Sequence, residues 1–126
     1  MGSPFHRFEK PMKIKQWGVY LVNLNPRIGT KPGKLRPCVV VQDNALNEIN
    51  HPSTVILPIT TKNTTDQAHP LRVFLAKGEA GLEKNCMVLV DQFLAWDNTQ
   101  FVKHLGDLSP EKREELESAC RDFFGW

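Results

Sequence analysis

Four basic residues, Arg27, Lys31, Lys34 and Arg36, fall within ten positions, and no acid follows until Asp43. They sit in the stretch NPRIGTKPGKLRPCVVV, where Gly29 and Gly33 let backbone approach a ligand closely and the lysines supply positive potential. That combination suits a phosphate backbone; a solvated basic loop has the same composition. Arg36 differs from its neighbours. Pro37 fixes its own φ and biases residue 36 toward an extended conformation. Val39, Val40 and Val41 then anchor the segment in a core. A guanidinium held this way can meet two phosphate oxygens at once. An ion pair with a nearby carboxylate is the competing role.

A second polar group ends an apolar run: PITTK, with Thr60, Thr61 and Lys62. Hydroxyls there form turns, or bond a phosphate oxygen or an arginine. Asp91 and Gln92 interrupt the apolar run MVLVDQFLAW. A buried Asp-Gln pair needs partners, either loop amides or a base edge at the floor of a site. His51 and His69 each stand next to a proline in polar stretches, with no orienting partner in sequence, and read as surface residues. Cys38, Cys86 and Cys120 are scattered, form no CxxC, and complete no zinc set with the histidines. They read as buried thiols of a reducing compartment.

These groups need a scaffold. The 126 residues suit one domain, with 40% hydrophobic and 24% charged residues, net charge +2 and pI near 8.5. No apolar run is long enough to span a membrane. Residues 17–24, 37–42, 54–60, 70–76 and 101–108 read as strands. The internal Pro58 argues for an edge or a bulge. Residues 86–96 read as one strand bent near Asp91 or as two. The stretch DNALNEINHPS reads as a helical turn and a loop, and KGEAGL as a turn. The period then changes: Ser109 is an N-cap, Pro110 the first helical residue, and Gly125 a stop. Leu116, Cys120, Phe123 and Phe124 form its apolar stripe, expected in the core. Trp17, Trp96 and Trp126 could stack bases, but buried structural roles come first. The pattern predicts a mainly β fold, a small twisted barrel closed by a C-terminal helix. Residues 1–11 read as a leader or extension and 12–126 as the domain, with Met12 the expected native start.

Together, WGVYLVNLNPRIGTKPGKLRPCVVVQDNALN, VILPITTK, GLEKNCMVLVDQF and LGDLSPEKREELESACRDFFG resemble the MazF/PemK-type toxins of bacterial toxin–antitoxin pairs, over nearly all of residues 12–126. The resemblance implies an SH3-like barrel, shared with CcdB, that forms a homodimer. It implies cytoplasmic, metal-independent, sequence-specific cleavage of single-stranded RNA, without a cofactor, leaving a 2′,3′-cyclic phosphate and a 5′-hydroxyl. A cognate antitoxin would block the RNA groove. Arg36 and Thr60 fall on the family's catalytic arginine and threonine. Thr30, Lys31, Lys34, Thr61, Lys62 and Gln92 become the expected RNA-binding residues. The sequence departs from the family twice. Trp17-Gly18-Val19 replaces a Gly-acid-Val opening, and Lys31 stands where the family loop often has glutamate. The general base is therefore unassigned. A non-enzymatic CcdB-like gyrase binder and an inactive antitoxin-binding member remain as alternatives.

Overall fold

The computed structural model describes residues 12–24, 34–61 and 70–126. Seven antiparallel strands form one sheet: β1 (Gly18–Asn23), β2 (Leu35–Val40), β3 (Ser53–Thr60), β4 (Arg72–Leu75), β5 (Cys86–Leu89), β6 (Leu94–Asp97) and β7 (Phe101–Asp107). A short helix α1 (Asn44–Glu48) follows β2, and the long helix α2 (Pro110–Phe124) ends the fold. The order is β4-β5-β3-β2-β1-β7, with β6 also paired to β3. The expected strands are all present, and residues 86–96 resolve into two, β5 and β6, around a turn at Asp91.

The two faces of this sheet bury two clusters, as alternating side chains dictate. Val19, Val39, Leu57, Ile59, Val73 and Val88 point to one face and meet Leu116 and Ala119 of α2. Tyr20, Val22, Cys38, Val40, Ile56 and Phe101 point to the other, covered by Met12, Ile14, Leu94 and Trp96. Tyr20 is wholly buried, and its hydroxyl is satisfied twice. It donates to the Lys13 carbonyl (2.9 Å) and accepts from the Lys15 amide (3.0 Å), holding the segment before β1 on the sheet.

The sheet closes on itself through backbone. The 3-10 turn Glu79–Gly81 after β4 lies against β7, at the opposite end of the strand order. A Cβ on Gly81 would stand 2.1 Å from the Leu105 carbonyl oxygen, and one on Gly106 2.6 Å from the Ala80 carbonyl carbon. The same turn starts the helix, because Glu79 Oε2 accepts the Ser109 amide at 2.7 Å. Ser109 caps α2 by accepting from the Lys112 amide, Pro110 opens it, and Gly125 (φ 73°) ends it, as expected.

Two expectations need correction. Pro58 is on an interior strand, between β2 and β5/β6, not at an edge. It is tolerated because β3 changes partner there: residues 53–56 pair with β6, and Ile59 and Thr60 pair with β5. The missing N–H falls in the gap between the two ladders. Phe123 and Phe124 are not core. They are 40% and 43% exposed and stack in a ledge with Phe93 and Trp126. The buried positions of α2 are Leu116 and Ala119.

The seam predicts a graded loss of stability. Gly81→Ala combines φ +78° with a backbone collision and should lower unfolding free energy by at least about 2 kcal/mol. Gly78→Ala, at φ +99° with open space around it, should cost only about 1 kcal/mol. Equal losses in urea titrations would refute the close-approach argument.

The thiols predict an alkaline trend. Burial raises Cys38 to about 12, with Arg36 pulling it part of the way back. Burial and the Glu117 charge raise Cys120 to about 11. Below the ordinary thiol value of 9.0, both the folded and the unfolded chain keep these protons. Above it only the unfolded chain releases them, so rising pH favours unfolding until the folded-state values are passed. Stability measured from pH 9 upward should fall, and Cys38→Ala should flatten the slope.

Candidate active site

Arg36 lies inside β2, half-buried, one position deeper than the loop end that the sequence suggested. Its Cα partner is Val22 of β1. Side chains at 36, 38 and 40 share a face, so Arg36 projects on the Tyr20/Cys38 side of the sheet. Thr60 closes β3, 8% exposed, with Met87 of β5 as its partner. β2 and β3 pair at Cys38↔Pro58. Two residues further along each strand, past the last paired position but on the same face, stand Arg36 and Thr60. The fold thus brings together two residues 24 apart in sequence, at one rim of the sheet. Lys34 and Thr61 flank them on that rim, both exposed. Thr30, Lys31 and Lys62 lie outside the described residues, as does His69.

Gln92 is exposed in the turn between β5 and β6. Its neighbour Asp91 accepts from Arg72 Nη1 at 2.9 Å, an ion pair that ties the turn to β4. Asp91 is therefore engaged in a structural ion pair, and neither it nor Gln92 is buried as the sequence suggested. His51 is exposed, its Nδ1 2.8 Å from the Ser53 carbonyl.

The salt bridges among the described residues involve Lys15, Arg72, His104, Lys112 and Arg121 as the basic partners, and none involves Arg36. The ion-pair reading is therefore not realised there. Cys38, beside it, is held as a neutral thiol and is no nucleophile at neutral pH. No group of His, Cys, Asp or Glu among the described residues is arranged to hold a metal ion.

Two features were not read from sequence. Asn23, next to Val22, holds the only buried side-chain polar atom without a partner among the described residues, its Oδ1. Its carbonyl accepts Trp96 Nε1 at 2.8 Å, which fixes the end of β1. The other is the reason no acid stands at position 18. A Cβ there would meet the Tyr20 ring at 2.7 Å and the Lys15 carbonyl at 3.1 Å, so an acidic side chain has no room beside this tyrosine. Trp17 takes the positive φ (70°) at this corner, with its N–H and C=O bonded to Val40 and Leu108. No helix among the described residues is long and apolar enough to cross a membrane.

The fold recurs in solved structures. A MazE–MazF complex from Deinococcus radiodurans superposes with a TM-score of 0.74 at 19% identity, covering 90% of this chain and 97% of that one. An endoribonuclease from a mycobacterial species gives 0.71 at 20% identity, covering 93% and 96%. A mycobacterial endoribonuclease in complex with its cognate antitoxin gives 0.70 at 21% identity, covering 88% and 94%. In sequence, endoribonuclease MazF of Staphylococcus saprophyticus is 28% identical over 106 residues, 84% of this chain and 87% of that protein. The sequence model of the PemK-like, MazF-like toxins of type II toxin–antitoxin systems matches residues 15–124, and the chain belongs to that family.

Proposed function

We propose that this chain is a toxin endoribonuclease that cleaves single-stranded RNA at specific sequences, with Arg36 and Thr60 as its catalytic residues. The observation that carries the reading is the juxtaposition of an arginine outside any ion pair among the described residues with a strand-end threonine, on one face of one rim. The substrate's own 2′-hydroxyl attacks the adjacent phosphorus as its proton is withdrawn. The P–O5′ bond breaks, and the leaving oxygen takes a proton. The products are a 2′,3′-cyclic phosphate and a 5′-hydroxyl. The nucleophile belongs to the RNA, so the protein need supply none.

Charge grows on the phosphoryl oxygens in the pentacoordinate state. A preset guanidinium meets it without reorganising, an effect worth roughly 3 to 4 kcal/mol per donor in comparable sites. Thr60 adds a hydroxyl donor to the same phosphate. Arg36 is a poor base because its pKa exceeds about 12. The residue that withdraws the 2′ proton is therefore another group. Lys34, with Lys31 and Lys62, would hold flanking phosphates, making affinity salt-dependent. Thr30 and Thr61 complete the RNA-binding set, and base choice rests on unstacked bases read at the loops. Gln92, exposed in the turn between β5 and β6, belongs to the same set. The reading includes a cytoplasmic homodimer and a cognate antitoxin that covers the rim, as the antitoxin complexes among the related structures support.

Arg36→Ala should lower cleavage of a long single-stranded RNA by about two to three orders of magnitude, with an unchanged circular dichroism spectrum. Full activity in that variant would remove Arg36 from the chemistry. RNA carrying 2′-deoxynucleotides at the mapped cut sites should survive incubation with EDTA present, whereas the all-ribo strand is cut. Scission of the deoxy sites would exclude attack by the 2′-hydroxyl. A preparation that cuts neither strand would favour the gyrase-binding or inactive alternatives.

A further inference from the structure

The ladder between β2 and β3 stops abruptly, and one residue accounts for the stop. Cα pairing runs Val40↔Ile56, Val39↔Leu57, Cys38↔Pro58 and goes no further. Pairing of the same β2 with β1 continues three positions beyond, to Asn23↔Leu35. The backbone directions explain the difference. The Val41 amide donates to the Val55 carbonyl (3.1 Å), so odd-numbered residues of β2 turn their backbone groups toward β3. The Leu24 amide donates to the Lys34 carbonyl (2.9 Å), so even-numbered ones turn toward β1. The next exchange with β3 would pair residue 37 with Ile59. Residue 37 is proline and has no N–H to give.

Beyond that point Arg36 is held from the β1 side and Thr60 from the β5 side. In an unbroken ladder the two would form a non-hydrogen-bonded pair, with Cα atoms about 4.5 Å apart and side chains packed together. We propose that Pro37 is a positioning residue: by withholding one N–H it ends the β2–β3 ladder one step before Arg36 and Thr60. The strand ends can then stand apart by the width of the phosphoryl group the two residues bind. This rests on the assignment of Arg36 and Thr60 made above. It goes beyond it in giving the proline a role separate from extending residue 36.

The test separates the absent N–H from the ring. Pro37→Ala restores the N–H. Replacing Pro37 with lactic acid, through nonsense suppression, leaves an ester with neither ring nor N–H. Both full-length variants are assayed beside the parent and Arg36→Ala on a kilobase single-stranded RNA, with amide exchange followed by NMR and melting by calorimetry. Pro37→Ala should show a protected amide at position 37, a melting temperature at or above the parent's, and kcat about a hundredfold lower with KM little changed. The ester should recover most of the lost kcat.

Parent-like cutting by Pro37→Ala with a protected amide overturns the proposal while leaving Arg36 catalytic, provided Arg36→Ala is dead. An unprotected amide, or an ester as slow as the alanine variant, overturns it too, since the ring would then be what matters. Loss of the fold in both variants would make the proline a stability element and likewise reject the proposal. Parent-like cutting by Arg36→Ala removes the catalytic assignment itself, and this inference falls with it.

Discussion

The scaffold depends on a place where two backbones touch. The turn at Glu79–Gly81 and strand β7 approach so closely that a single methylene at Gly81 or Gly106 would overlap a carbonyl. β4 and β7 are the two ends of the strand order, so this contact is what bends an open sheet round on itself. A barrel of short strands gains most of its stability from the apolar side chains it encloses, and the enclosure is lost if the seam opens. The seam also fixes the helix. Glu79 receives the Ser109 amide, so the first turn of α2 is tied to the closing turn, and Leu116 and Ala119 are delivered to the core that closure creates. One local constraint therefore sets the curvature of the sheet and the placement of the helix.

Within that frame, the sheet is discontinuous at its prolines. Pro58 lies where β3 exchanges β6 for β5, and Pro37 lies where β2 parts from β3. A regular sheet satisfies every interior N–H and C=O and presents no vacancy to a ligand. A residue that cannot donate creates a local departure from the ladder without leaving a buried donor unpaired. The Arg36/Thr60 rim is at one such departure. The neighbouring backbone stays rigid because β1 holds β2 and β5 holds β3 up to the last residues.

Much of this was legible from local signals. Apolar alternation located the strands, and Ser109, Pro110 and Gly125 bounded the helix, because caps and periods are short-range properties. The pairing of Arg36 with Thr60 was visible only through the family resemblance, since register is a long-range property that composition does not encode. Pro58 misled because the rule confining strand prolines to edges or bulges assumes a single partner on each side, and β3 has two in succession on one side. Asp91 and Gln92 proved exposed rather than buried, because the apolar run they interrupt is two strands joined by a turn, and Arg72 takes the carboxylate. Phe123 and Phe124 followed the helical period yet stayed out of the core, because these last aromatic residues of α2 pack on Phe93 and Trp126 instead.

Arg36 and Arg72 differ in how their charge is met among the described residues. Both occupy short strands and both are partly buried. Arg72 has Asp91 at 2.9 Å and the Leu71 carbonyl at the same distance, so its charge is spent on the fold. Arg36 has neither contact among the described residues. Among the described residues no carboxylate pairs with it, and a half-buried guanidinium left so costs solvation free energy. The three residues before it, Gly33, Lys34 and Leu35, bring no carboxylate, and five of the chain's fourteen acids lie on α2. Under the proposed function that cost is met when the RNA backbone arrives: the same charge would then stabilise the pentacoordinate phosphorus.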